Sequence, residues 1–318
     1  MLGAAALATL VVSCAPPSSP SNVQAVAGDR RVLLSWDESP GATSYNVYWS
    51  TVPGLGQGGW EVSVTKPSFA HQPIANGRAY YYVVTALAHG AESKPSVEVQ
   101  ATPVDIPVTS LVFADAALAA CLAEHRYDSA HEVLTLFCDG RGITDLAGIE
   151  ELYNLEWLVL RDNAISDLSA LSDMQALLYL NMDFNAVTDL TPLATLQGLV
   201  SLRVEGNAIA DLSPLTDFTN LAIVNLNGNQ VVDVSPLSGI TARTTLLLED
   251  NLLGGAGVGH LESLLSLDLG QISLAGNPGI SCSELGTLIT AFGSPPVDVD
   301  RDLATSDIAV EGANCTTP

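Results

Sequence analysis

Apolar residues alternate with polar ones through the first third of the chain and then settle into a 22-residue period. Val32-Leu33-Leu34-Ser35-Trp36, Tyr45-Asn46-Val47-Tyr48-Trp49, Tyr80–Ala86 and Val97–Ala101 read as half-buried strands. Turn clusters at Ser39-Pro40-Gly41 and Asn76-Gly77 separate them, which predicts an antiparallel sandwich of about seven short strands over residues 22–103. From residue 133 the pattern changes. Asn163, Asn185, Asn207 and Asn229 stand 22 residues apart, Asn251 is 22 further on, and Asn277 follows after 26. Leu155, Leu177, Leu199 and Leu221 open the units, and Leu158, Leu180, Leu202 and Val224 come three residues later. Two past the first five Asn stand Ile165, Val187, Ile209, Val231 and Leu253. A repeat this regular predicts a stack of about seven units over residues 133–277, each giving one short strand to a parallel sheet. Such a stack needs its open ends covered. Phe113–Tyr127 has a helical apolar face (Phe113, Ala117, Leu118, Cys121, Leu122), which predicts an N-terminal cap at 104–132. A helix at Ser283–Phe292 predicts a C-terminal cap at 278–318.

The residue types follow from what each place in the unit must do. Leu at the first, fourth and sixth places points inward, whereas a buried Asn amide can donate to and accept from backbone groups that the turning chain leaves unpaired. Asp145, Asp167, Asp189, Asp211 and Asp233 form a second column, read as a turn-capping device. Thr191-Pro192, Ser213-Pro214 and Ser235-Pro236 place a capping hydroxyl before a proline at the first helical position, so each unit returns through a short helical turn. The unit, L-x-x-L-x-L-x-x-N-x-I-x-D-L-S-P-L, resembles the leucine-rich repeat and is closely similar to the internalin-type repeats of bacterial surface proteins. The resemblance implies an α/β solenoid with a concave parallel sheet. Internalins carry an immunoglobulin-like domain after their repeats, whereas here the sandwich comes first, so no role in entering host cells is carried over. The sandwich itself resembles a fibronectin type III domain in Trp36, the Ser44–Tyr48 strand, the Asn76–Tyr80 corner and the closing Ala101-Thr102-Pro103. That likeness implies a core role for Trp36 and a corner role for Tyr80. Gly54–Gly59 formally matches G-x-G-x-x-G but joins two strands rather than a strand and a helix, so it reads as a loop.

Met1–Val12 is apolar and too short to cross a hydrocarbon core of ~30 Å; it reads as part of a secretory signal over residues 1–13. Val11-Val12-Ser13-Cys14 resembles the lipobox of bacterial lipoproteins, which implies a lipid on Cys14 and a Pro/Ser tether over 14–21. No Lys or Arg precedes the apolar run, a departure from that pattern. The expected location is the bacterial envelope, at the outer membrane or cell surface. Four further cysteines allow three pairings; their spacing favours Cys121–Cys138 and Cys282–Cys315 and does not suit zinc.

The net charge of −24, from 35 acidic and 11 basic residues, excludes a nucleic-acid binder. It is lopsided. Residues 1–103 hold 6 acidic and 5 basic residues, and residues 104–318 hold 29 and 6. A neutral or basic protein or glycan partner is expected, with the membrane met only through the lipid. No catalytic triad, G-x-S-x-G elbow, H-E-x-x-H pair or phosphate loop is present, and Asp298–Asp302 lacks the Gly and Glu of an EF-hand. A monomeric protein without enzymatic activity, cofactor or metal is expected. The remaining candidate is the concave face, where Trp157, Val159, Arg161, Tyr179, Asn181, Phe184, Arg203 and Asn225 would meet a ligand. The alternative is a structural envelope component with no selective ligand.

Overall fold

Period-two patterning builds the first of two units, which meet in the chain between Ile106 and Pro107. The structure, a computed structural model, describes residues 16–254, 267–277 and 279–280. Eight strands form where about seven were expected: β1 (Gln24–Gly28), β2 (Arg31–Ser35), β3 (Ser44–Ser50), β4 (Trp60–Val64), β5 (Ser68–His71), β6 (Tyr80–Ala88), β7 (Ala91–Glu92) and β8 (Val99–Ala101). They make two antiparallel sheets, β1-β2-β5 and β4-β3-β6, with β7 and β8 pairing different stretches of β6. Alternate residues Val32, Leu34, Tyr45, Val47, Tyr80, Tyr82 and Val84 bury one face of each sheet around Trp36. Trp36 meets Tyr45 edge-on at 5.3 Å, and the Tyr80 hydroxyl accepts the Ala75 N–H at 3.1 Å, the corner tie expected of it. His71 lies 4.5 Å from the Trp49 ring, with Nδ1 3.0 Å from the Tyr82 hydroxyl; burial pushes its pKa from 6.5 down to about 4. The Gly54–Gly59 segment is a loop between β3 and β4. The Glu98 carboxylate accepts the N–H groups of Gly54 and Leu55 at 2.9 and 2.7 Å, so a side chain of the protein occupies the amides a phosphate would need.

The second unit opens with the cap. Its helix, α1 (Ala116–Glu124), is shorter than the Phe113–Tyr127 of the sequence pattern. The Asp115 Oδ1 accepts the N–H groups of Ala117 and Leu118, which fixes the start, and Arg126 at φ 56° turns the chain out of the helix. Leu118, Cys121 and Leu122 are the buried face. A disulfide joins Cys121 to Cys138, with Cα atoms 5.9 Å apart. Cys14, the Cys282–Cys315 pair and the Ser283–Phe292 segment lie outside the described residues. Among those described, no helix is long and apolar enough to cross a membrane.

Seven strands follow in one parallel sheet, in chain order: β9 (Thr135–Phe137), β10 (Trp157–Val159), β11 (Tyr179–Asn181), β12 (Ser201–Arg203), β13 (Ile223–Asn225), β14 (Thr244–Leu247) and β15 (Leu269–Ser273). Because the repeat length is constant over the middle units, equivalent residues pair across strands: Leu158 with Leu180, Leu180 with Leu202, Leu202 with Val224. These inward residues are essentially solvent-free, and each contributes roughly 1.5–3 kcal/mol on burial. The free edge of β9 is covered by the cap, where the Tyr127 hydroxyl donates to the Thr135 carbonyl at 2.9 Å.

The Asn column works as a clamp. Asn185 donates to the carbonyls of Leu160, Met182 and Asp183, while its Oδ1 accepts the Ile165 N–H at 3.0 Å. Asn163, Asn207, Asn229, Asn251 and Asn277 repeat this arrangement. The return turns are short 3₁₀ segments; the Asp column caps them as expected, but the Thr and Ser hydroxyls do not. Thr191, Ser213 and Ser235 are the first residues of these turns, not their caps. Their N–H groups are held at 2.8 Å by Asp189, Asp211 and Asp233, two residues upstream. The amides that such a cap would serve already donate to carbonyls (Leu193 to Leu190 and Ala194 to Thr191, Leu215 to Leu212 and Thr216 to Ser213), and the hydroxyls of Ser213 and Ser235 donate back to the same carboxylates. Hydrogen bonds from Ser169 and from Thr191 hold the Asp167 and Asp189 carboxyls below the usual range.

Candidate functional site: the concave sheet

Strand residues between the inward leucines face away from the solenoid core. In-register stacking therefore lines up the third residue of each unit as one row: Thr135, Trp157, Tyr179, Ser201, Ile223 and Thr245. The fifth residues make a second row: Phe137, Val159, Asn181, Arg203, Asn225 and Leu247. Trp157 and Tyr179 stack with ring centroids 4.3 Å apart and planes 20° from parallel, and Phe137 stands 6.5 Å from Trp157. Their mutual contact is worth about 0.5–1.5 kcal/mol beyond area burial, yet Trp157 remains 43% exposed. The first three repeats thus present an aromatic ridge to solvent. Phe137 was not singled out from sequence. The available signal was that Val133, Leu136 and Cys138 fill the inward places of a degenerate unit, which puts Phe137 in the outward row.

The polar candidates divide. Val159 and Asn181 are half-buried, and the Asn181 Oδ1 accepts the Asp183 N–H at 2.9 Å. Arg161 and Arg203 approach the same carboxylate oxygen of Asp183, Nε to Oδ2, at 3.9 and 3.3 Å. Asn225 does not belong with them. It is 1% exposed, its amide donates to Glu205 at 2.9 Å and its Oδ1 accepts the Asn227 N–H, so its side chain serves neighbouring residues rather than a ligand. Ser201 is buried as well.

Phe184 departs from its equivalents in backbone conformation. The eighth residue of each unit is left-handed: Gly140, Asp162, Gly206, Gly228, Asp250 and Gly276 all have φ between 51° and 70°. Phe184, at φ 57°, puts a large side chain where the other units use Gly or Asp. Its ring lies against the next unit's Gly206, where an added Cβ would come within 2.5 Å of the ring. The ring is nonetheless well exposed.

A further regularity was not read from sequence. At the seventh place, the Oδ1 atoms of Asp139, Asp183 and Asn227 accept the N–H groups of Arg161, Glu205 and Glu249 at 3.0, 2.8 and 2.8 Å. Short acceptors and long side chains therefore alternate, one of each per pair of units. The signal is an Asp or Asn every 44 residues, hidden beneath the 22-residue period.

Comparison with known proteins fits this geometry. The family described as Leucine Rich repeats (2 copies) matches residues 153–195, the heart of the sheet. The structure of internalin C2 from Listeria monocytogenes is similar at 27% identity and a TM-score of 0.50, covering 61% of this chain and 85% of that one. The second unit is a leucine-rich-repeat solenoid similar to that of an internalin. A fibronectin-type-III-like protein from Clostridium thermocellum is 33% identical over 27% of this chain and 92% of that one, at a TM-score of 0.24. An 88-residue stretch is 40% identical to the amylopullulanase of Thermoanaerobacterium saccharolyticum. It amounts to 27% of this chain and spans only 7% of that protein.

Proposed function

We propose that the protein is a non-enzymatic binding protein of the bacterial envelope that holds a protein partner on the concave sheet of its repeats. One observation carries the reading: Trp157, Tyr179 and Phe137 form a solvent-facing aromatic ridge on a sheet whose other face is a closed leucine core. Exposed apolar surface is costly to keep in water, and stacked aromatics are the residue types that anchor interfaces. The ridge also favours protein over glycan. Trp157 and Tyr179 each turn one flat face toward the other, which takes that face from a stacking sugar. Internalin-type repeats support a protein partner, and a match to 7% of an amylopullulanase carries no enzymatic role over. Val11–Cys14 and the Pro/Ser stretch after it support a lipid anchor on Cys14 at the outer membrane or cell surface, with the sandwich as spacer.

The test is capture of a partner by the full chain, compared with Tyr179→Ala and with the convex double variant Asp173→Ala/Asp217→Ala. Tyr179→Ala should weaken capture at least tenfold while lowering the melting temperature by only the few degrees that the lost stack on Trp157 accounts for, and the convex variant should weaken capture less than about twofold. The reverse ranking would move the site off the concave face.

A further inference from the structure

Basic residues are scarce beyond residue 106. There are six: Arg126, Arg141, Arg161, Arg203, Arg243 and Arg301. Arg141 is spent on a two-pronged pair with Glu124. Arg161 and Arg203 stand two strands apart on the concave side and flank one carboxylate, that of Asp183, which is 1% exposed. Two guanidinium groups thus flank one buried carboxylate, with Asp139 and Glu205 at the outer ends of the same row.

The carboxylate is not needed for the backbone. Two units on, Asn227 does the same work for the Glu249 N–H at 2.8 Å without a charge. What Asp183 adds over Asn227 is an anion beside the Nε edges of both arginines. Their Nη groups make no hydrogen bond to the described residues, and both side chains stay about two-fifths exposed (42% and 39%). Arg203 is fixed by its Nε hydrogen bond, whereas Arg161 is drawn in by charge alone, its Nε making no hydrogen bond to the described residues; both keep their other donors in the fork geometry that matches a second carboxylate.

From this arrangement we infer that Arg161 and Arg203, set by Asp183, form a subsite for a side-chain carboxylate, an Asp or Glu, of the protein partner. The inference rests on the concave-face reading and adds the partner's chemistry to it. Trp157 and Arg161 are four residues apart on one extended stretch, about 13 Å, and so are Tyr179 and Asp183. The matching partner segment carries an apolar anchor and, three to five extended residues away, one acid. The field of an acidic solenoid disfavours a run of acids, so the rest of the segment is neutral or basic.

The experiment is a selection of random heptapeptides, displayed with their C-termini fused to a phage coat protein, on the immobilised full chain. Fusion removes the free terminal carboxylate, so any acid selected is a side chain. Selected sequences should pair an aromatic or Leu with a single Asp or Glu. The synthetic amidated peptide should bind at least tenfold more tightly than its version with Gln or Asn in place of the acid. Replacing both arginines alone would strand the buried Asp183 charge, so the comparison uses Arg161→Gln/Asp183→Asn/Arg203→Gln, which keeps the backbone acceptor as Asn227 does. On that variant the preference for acid over amide should fall below twofold. Equal binding of acid and amide peptides to the original chain, or a preference that survives in the triple variant, overturns the subsite. Peptides that bind independently of both Trp157→Ala and Tyr179→Ala overturn the concave-face reading itself, and the subsite with it.

Discussion

Phe184 holds a backbone conformation that costs an L-residue about 1–2 kcal/mol and that the other described units give to Gly or Asp. A side chain kept at such a cost, and left exposed, points to use rather than to packing. Phe184→Gly is therefore expected to leave the melting temperature unchanged or raise it, while lowering partner affinity. Calorimetry together with a binding isotherm reads both, and a clear loss of stability would show the ring to be structural. In the sandwich the reverse logic applies to His71. Its aromatic surroundings favour the neutral ring, so the unfolded chain takes up this proton first as pH falls. The group leaves stability unaffected above pH 6.5 and lowers it as pH falls from 6.5 through about 4. A proton resonance titration of His71 with a midpoint near 4 is expected; a midpoint at 6.5 would mean a hydrated ring.

At the scale of elements, the bridge between α1 and the first unit closes 17 residues, which in the chain-entropy picture contributes about 3 kcal/mol. Cys121→Ser/Cys138→Ser should lose about that much, and amide exchange should quicken first in α1 and β9 while β12 and β13 stay protected. Uniform acceleration would mean that the cap does not open separately. The sequence carried this bridge because Cys138 fills an inward leucine place and Cys121 lies on the apolar face of the cap helix. It carried Trp157, Tyr179 and Arg203 as outward residues for the same reason: a strict period fixes which way a side chain points. It did not carry Asn225, because direction is not exposure, and the Glu205 carboxylate and Asn227 amide that enclose Asn225 belong to other places in the repeat. Strands β1, β4 and β5 were equally hard to read. Each is short and much of it stays half-exposed or exposed, so alternation has little contrast there. The Asp caps show a third kind of limit. The Asp column reads as a turn-capping device and is one, but Ser-Pro and Thr-Pro match a second capping pattern, and only the turn geometry shows that the hydroxyls leave the amides to the aspartates.

At the scale of the whole molecule, the alternating acceptors at 139, 183 and 227 mean that the solenoid is a string of dimeric modules rather than identical links. Excising residues 163–184 would bring Arg161 beside Glu205 and leave the Glu205 amide with no acceptor. Excising 163–206 would set Arg161 beside Asn227 and keep the alternation. The longer excision is thus expected to melt at or above the temperature of the shorter one, against the usual rule that a solenoid weakens as it loses units. Scanning calorimetry of the two shortened chains decides it, with a lower melting point for the longer excision counting against the modules. If the modules hold, this architecture lengthens and shortens by even numbers of turns, and the reach of its binding surface is available only in steps of that size.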